Sequence, residues 1–194
     1  MTLLEHKERL AQGTVKYLPH WITPMDLTIL RIALVLPMIL FFLNGQIYLT
    51  AILLIISALL DFYDGPLARL RQQTSLAGKL LDPFADKLMI IPLFYFTAIN
   101  ILPHWLIWSI IIIESLLVIT AFIIKPSLQN QGYKFSLGAN LFGKYKTTLE
   151  FAGVLWLLLI PTNSLINLVS LIVFSLVLIL AVGSLIRHTI PLHA

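Results

Sequence analysis

The chain has 194 residues, 59% of them hydrophobic and 11% charged, with a net charge of +4 and no cysteine. A soluble globular domain carries about 25% charged residues, so water is not this chain's main solvent, and the absence of thiols excludes a disulfide framework, a thiolate metal site and a cysteine nucleophile. In a membrane protein, excess Lys and Arg set orientation and attract anionic lipid, so the positive balance gives no reason to expect nucleic acid as a partner.

In chain order, residues 1–22 read as a cytoplasmic or interfacial segment. Thr2 and Glu5 have capping-box spacing, and Leu3, Leu4, Leu10 and Ala11 share one side, which predicts a short helix over 2–12 lying along the bilayer surface. No short apolar core with a cleavage site follows, so the first hydrophobic segment is expected to remain in the mature protein. Six apolar stretches come next, at 24–43, 47–69, 79–102, 105–124, 143–160 and 164–186. Helices of roughly 20 residues, rising about 1.5 Å per residue, match a hydrocarbon core about 30 Å thick. Asn44-Gly45, Pro103-His104 and Pro161-Thr162-Asn163-Ser164 punctuate the tight turns. The expected fold is therefore all-α: a polytopic membrane protein with six transmembrane helices and a short N-terminal interfacial helix, one domain over 1–194 with its bundle at 23–187.

The cations test the topology, because Lys and Arg are retained on the cytoplasmic side. Lys7, Arg9 and Lys16 precede the first stretch, Arg69, Arg71 and Lys79 border the second and third, Lys125, Lys134, Lys144 and Lys146 border the fourth and fifth, and Arg187 follows the sixth. Both termini and the longer loops are thus expected in the cytoplasm.

Chemistry concentrates in one stretch, DFYDGPLARLRQQTSLAGKLLDPFADK, from Asp61 to Lys87. Asp61 and Asp64 stand three apart and Asp82 and Asp86 four apart, so each pair shares one helix face. A carboxylate in the bilayer costs about 2.5–3.5 kcal/mol on insertion scales. Bound hard cations such as Mg²⁺ or Mn²⁺, which prefer carboxylate oxygen, would offset that cost and suit a pyrophosphate substrate. The small residues Gly65, Ala68 and Gly78 allow close approach of backbone and ligand, and Arg69 can fork onto phosphate oxygens. The competing structural reading is an ion-pair network of the aspartates with Arg69, Arg71, Lys79 and Lys87.

This stretch resembles the signature D-x2-D-G-x2-A-R-x8-G-x3-D-x3-D of the CDP-alcohol phosphatidyltransferases, at every spacing. The resemblance implies a two-metal Mg²⁺ or Mn²⁺ site on Asp61, Asp64, Asp82 and Asp86, with Asp86 the catalytic base on the acceptor hydroxyl, although spacing alone does not separate it from Asp82. It also implies CDP binding by Asp61, Gly65, Ala68, Arg69 and Gly78, a homodimer, and transfer of a phosphatidyl group from CDP-diacylglycerol with release of CMP.

Within the family, Leu27-Thr28-Ile29-Leu30-Arg31 and Gly143-Lys144-Tyr145-Lys146-Thr147 resemble motifs of the phosphatidylglycerophosphate synthases. That likeness points to sn-glycerol 3-phosphate as acceptor, held by Arg31, Glu114, Lys144 and Lys146, in a bacterial inner membrane with the site facing the cytoplasm. Other acceptors of the same family (phosphatidylglycerol in cardiolipin synthases, inositol phosphate, serine) stay open. Each acceptor residue also has a plainer reading: Arg31 as a snorkelling cation, Glu114 as a buried hydrogen-bond partner, Lys144 and Lys146 as orientation charges. A divalent-cation transporter is the alternative from another class.

Overall fold

The computed structural model describes residues 19, 22–73, 76–124, 141–161 and 163–189, and the regular elements among them are helical. These are α1 (Pro24–Leu43), α2 (Ile47–Leu70), α3 (Leu76–Ala98), α4 (His104–Ile119, continued by a π-helical turn at Thr120–Ile124), α5 (Leu141–Leu159) and α6 (Ser164–Thr189). The interfacial helix expected at 2–12 lies outside the described residues.

The expectation of six spanning helices is corrected. Among the described residues four helices are long and apolar enough to cross a bilayer: Pro24–Leu43, Ile47–Leu70, His104–Ile123 and Ser164–Arg187. With 23 and 19 residues, α3 and α5 have the length. What they lack is apolarity. Any 18-residue stretch of α3 retains Asp82, Asp86 and Lys87, and any such stretch of α5 retains Lys144, Lys146 and Glu150. At about 2.5–3.5 kcal/mol for each charge, such a load offsets the gain from the surrounding Leu and Ile. The four apolar helices make the chain an integral, multi-pass membrane protein, and outward-facing side chains such as Leu36, Ile172 and Ile179, each more than 60% exposed, give them the apolar surface that lipid requires.

Local sequence explains where the first two helices begin and end. Pro24 occupies the first turn of α1, where its missing N–H costs nothing, and Thr23 caps it. The cap is reciprocal: Thr23 Oγ1 accepts from the Asp26 N–H at 3.2 Å while Asp26 Oδ2 accepts from the Thr23 N–H at 2.7 Å. Gly45, with φ of +73°, turns the chain from α1 into α2. At the far end of α2, Gln72 takes the left-handed conformation with φ of 55°, and the Gln73 N–H returns to the Ala68 carbonyl at 3.0 Å, closing the helix.

The chain divides into two compact units, Met1–Met89 and Ile90–Ala194. In the first, α1 packs on α2. Thr50, Ala51 and Ser57, all buried on α2, are small enough to let the two backbones approach, and Val35, Met38 and Leu54 fill the core. Nearer the aspartates, Leu27 of α1 and Leu67 of α2 form a smaller apolar cluster with Ile22, Leu60 and Tyr63. The Arg71 guanidinium ties the segment before α1 to the end of α2, donating to the carbonyls of Ile22 and, at 2.8 Å, Pro19.

In the second unit, α4 and α5 both pack against α6. The Phe174 ring of α6 lies over Gly153 of α5, and its centroid stands 4.8 Å from that of Phe94. Glycine is required there: a Cβ on residue 153 would come within 2.8 Å of the Phe174 ring.

Candidate active site

The carboxylates sit where two charged helix ends meet a third helix. Asp61 and Asp64 lie in the last turns of α2, Asp82 and Asp86 in the early turns of α3, and all four surround the guanidinium of Arg31 from α1. Arg31 Nη1 donates to Asp61 Oδ1 at 2.6 Å and to Asp86 Oδ1, while Nη2 donates to Asp64 Oδ2 at 2.8 Å and reaches Asp82 Oδ1 at 3.5 Å. The Arg31 side chain is 1% exposed. It therefore does not snorkel to the interface, and instead supplies one buried positive charge to four carboxylates. Its Nε is buried without a hydrogen-bond partner.

Asp64 is buried and Asp86 largely so, whereas the Asp61 and Asp82 side chains are 42% and 39% exposed. The cluster therefore has a closed side at Asp64 and Asp86 and an open side at Asp61 and Asp82.

Thr28 is part of this arrangement and was not singled out by sequence. One turn before Arg31 on the same buried face, its hydroxyl donates to Asp82 Oδ1 at 3.0 Å. The signal was present in Leu27-Thr28-Ile29-Leu30-Arg31, where Thr28 and Arg31 are three apart and so share a helix face. Spacing within α1 could not say which other helix that face meets.

The remaining residues singled out by sequence fall into two groups. On α2, Gly65 and Ala68 are partly buried and Arg69 is exposed, and a Cβ on Gly65 would lie 3.8 Å from the Arg69 guanidinium. Gly78 lies in the first turn of α3. In the second unit, Lys146 of α5 donates to both oxygens of Glu114 of α4, at 2.6 and 2.7 Å, with both side chains buried. Lys144 lies in the first turn of α5, with its side chain outside the described residues.

A divalent metal was expected on the aspartates. Among the described residues, no three Asp, Glu or His side chains are grouped so as to hold one ion. Their chemistry nonetheless fits. Four carboxylates supply the hard oxygen donors that Mg²⁺ and Mn²⁺ prefer, and they already converge on a positive charge.

Comparison with known proteins agrees with this chemistry. The family model described as CDP-alcohol phosphatidyltransferase matches residues 21–184. A Haemophilus influenzae protein named CDP-diacylglycerol–glycerol-3-phosphate 3-phosphatidyltransferase is 28% identical over 172 residues, covering 85% of this chain and 90% of its own. Proteins of the same name from Yersinia enterocolitica and Escherichia coli K12 are 27% and 25% identical over 171 residues, covering 85% of this chain and 91% of theirs.

Proposed function

The chain belongs to the CDP-alcohol phosphatidyltransferase family, enzymes that move a phosphatidyl group from CDP-diacylglycerol to an alcohol, and we propose that its alcohol is sn-glycerol 3-phosphate. The observation that carries a reaction at this place is the convergence of Asp61, Asp64, Asp82 and Asp86, from two helices, on one buried point. The choice of acceptor is supported by the relatives, whose names specify glycerol 3-phosphate, and by the motif around Lys144.

In this reading Asp86 takes the proton of the acceptor hydroxyl, with Asp82 the competing base. The hydroxyl oxygen attacks the phosphorus that bears diacylglycerol, the bond from that phosphorus to the bridging oxygen of the pyrophosphate breaks, and CMP leaves. A divalent ion held by the four aspartates would spread the negative charge that develops on the pyrophosphate. Arg69 forks onto a phosphate of the CDP group, and the small residues Gly65, Ala68 and Gly78 leave room for it, Gly65 lying beside the Arg69 guanidinium. For the acceptor phosphate Lys144 is a better candidate than Lys146, whose ammonium is buried against both oxygens of Glu114.

The cations beside the aspartates, Arg69, Arg71 and Lys79, favour a site facing the cytoplasm, the bacterial relatives favour an inner membrane, and the family resemblance favours a homodimer. A cation-permeation path is disfavoured by Arg31, a buried positive charge in the middle of the carboxylates.

The test is an acceptor screen with the purified protein and labelled CDP-diacylglycerol, comparing glycerol 3-phosphate, phosphatidylglycerol, serine and inositol phosphate. CMP release with glycerol 3-phosphate alone is expected. Release with a different acceptor overturns the choice of alcohol, and release with none overturns the reading.

A further inference from the structure

The Arg31 guanidinium does two things that conflict. It neutralises part of the charge on four carboxylates, through two nitrogens with contacts of 2.6, 2.8 and 3.5 Å to Asp61, Asp64 and Asp82 and one to Asp86, and in doing so it occupies the point on which their oxygens converge. Among the described residues no three of these carboxylates are grouped so as to hold one ion. The guanidinium is itself incompletely served, because its Nε donor is buried without a partner. An unsatisfied buried donor is costly, so this arrangement serves the carboxylates better than it serves the arginine.

We propose that Arg31 is an internal counter-cation: it holds the four aspartates together before a divalent ion binds, and the ion must displace it to bind. This inference rests on the assignment of the aspartates as metal ligands. Two cations a few ångströms apart repel, most strongly on the closed side of the cluster at Asp64 and Asp86, so the guanidinium and the metal are alternatives at the same oxygens. Arg31 is in these terms a positioning residue. Before metal loading it suppresses the mutual repulsion of Asp61, Asp64, Asp82 and Asp86 that would otherwise part α2 from α3, and as the metal enters, its nitrogens give up the carboxylate oxygens.

The experiment measures Mn²⁺ binding by electron paramagnetic resonance and thermal unfolding with and without EDTA, on the full chain in detergent, for wild type, Arg31→Gln and Arg31→Lys. In EDTA, Arg31→Gln is expected to melt below wild type, and saturating Mn²⁺ narrows that gap. Its half-saturating Mn²⁺ concentration falls about ten-fold or more, because no internal cation is left to displace. Arg31→Lys keeps the charge but has one nitrogen in place of a fork, and its half-saturation lies between the other two. Should Arg31→Gln fail to fold, the Lys variant decides: half-saturation below wild type supports the proposal. Half-saturation equal to or above wild type in the folded variants overturns it. Failure of the underlying assignment shows differently, as wild-type protein that binds no Mn²⁺ and releases no CMP.

Discussion

Lys146 and Glu114, 32 residues apart in sequence, meet as a buried two-pronged ion pair between α5 and α4, at 2.6 and 2.7 Å. Losing one partner of such a pair leaves an uncompensated charge and costs about 3–5 kcal/mol. Glu114→Gln and Lys146→Met are therefore each expected to lower the melting temperature sharply, and the double variant to recover most of the loss. A double variant no more stable than the singles would show that the two side chains do not act as a pair. Acceptor KM, measured on the double variant, reports separately on any contact of Lys146 with substrate.

Thr28 orients Asp82 through a hydrogen bond of 3.0 Å. Hydrogen bonds to charged groups contribute about 1.5–3 kcal/mol, so Thr28→Val should lower kcat/KM by about 10- to 150-fold. Thr28→Ser, which keeps the hydroxyl, should stay near wild type. Equal loss in both variants would assign the effect to packing of the methyl group and not to the bond.

Gly153 is expected to tolerate no side chain while Phe174 is present, since a Cβ would meet the ring at 2.8 Å. Overpacking of this kind costs about 1–3 kcal/mol. Gly153→Ala should melt below wild type, and adding Phe174→Leu should restore part of the loss. A Gly153→Ala protein as stable as wild type would mean that α5 and α6 separate there without cost.

Removal of divalent ions is expected to abolish CMP release, with Mg²⁺ or Mn²⁺ restoring it in wild type. Asp86→Asn should lower kcat by about 10²–10⁴-fold at saturating metal, the range for a lost general base. Asp82→Asn, assayed in parallel, identifies the base: the variant whose loss shrinks as pH rises, as hydroxide replaces the missing carboxylate, is the one that lacks it.

Much of this was legible in the chain, for identifiable reasons. The i, i+3 and i, i+4 spacings of Asp61, Asp64, Asp82 and Asp86 are helix-face statements, and the helices formed where the apolar stretches stand. Counting spans by length alone misled, because α3 and α5 carry their apolar residues together with Asp82, Asp86 and Lys87 in one and Lys144, Lys146 and Glu150 in the other. The place of Arg31 was not legible either. Its partners lie 30 to 55 residues away, and periodicity says which face of α1 is buried without saying what that face meets. Asp26, three residues after Thr23, completes the cap of α1. Glu114 and Lys146 each had a plausible separate role, and only packing brings them together.

The order in which the chain is made gives the arginine a further consequence. Arg31 leaves the ribosome inside the first apolar helix, before any of the aspartates that will neutralise it exists. Alone in a bilayer that charge costs about 2.5–3.5 kcal/mol, enough to make α1 a hesitant membrane entrant despite its Leu and Ile content. The turn at 44–46 brings α2 straight after it, with Asp61 and Asp64 at its trailing end. The natural unit of insertion is then the hairpin, and a nascent chain cut after α1 should integrate less completely than one cut after α2.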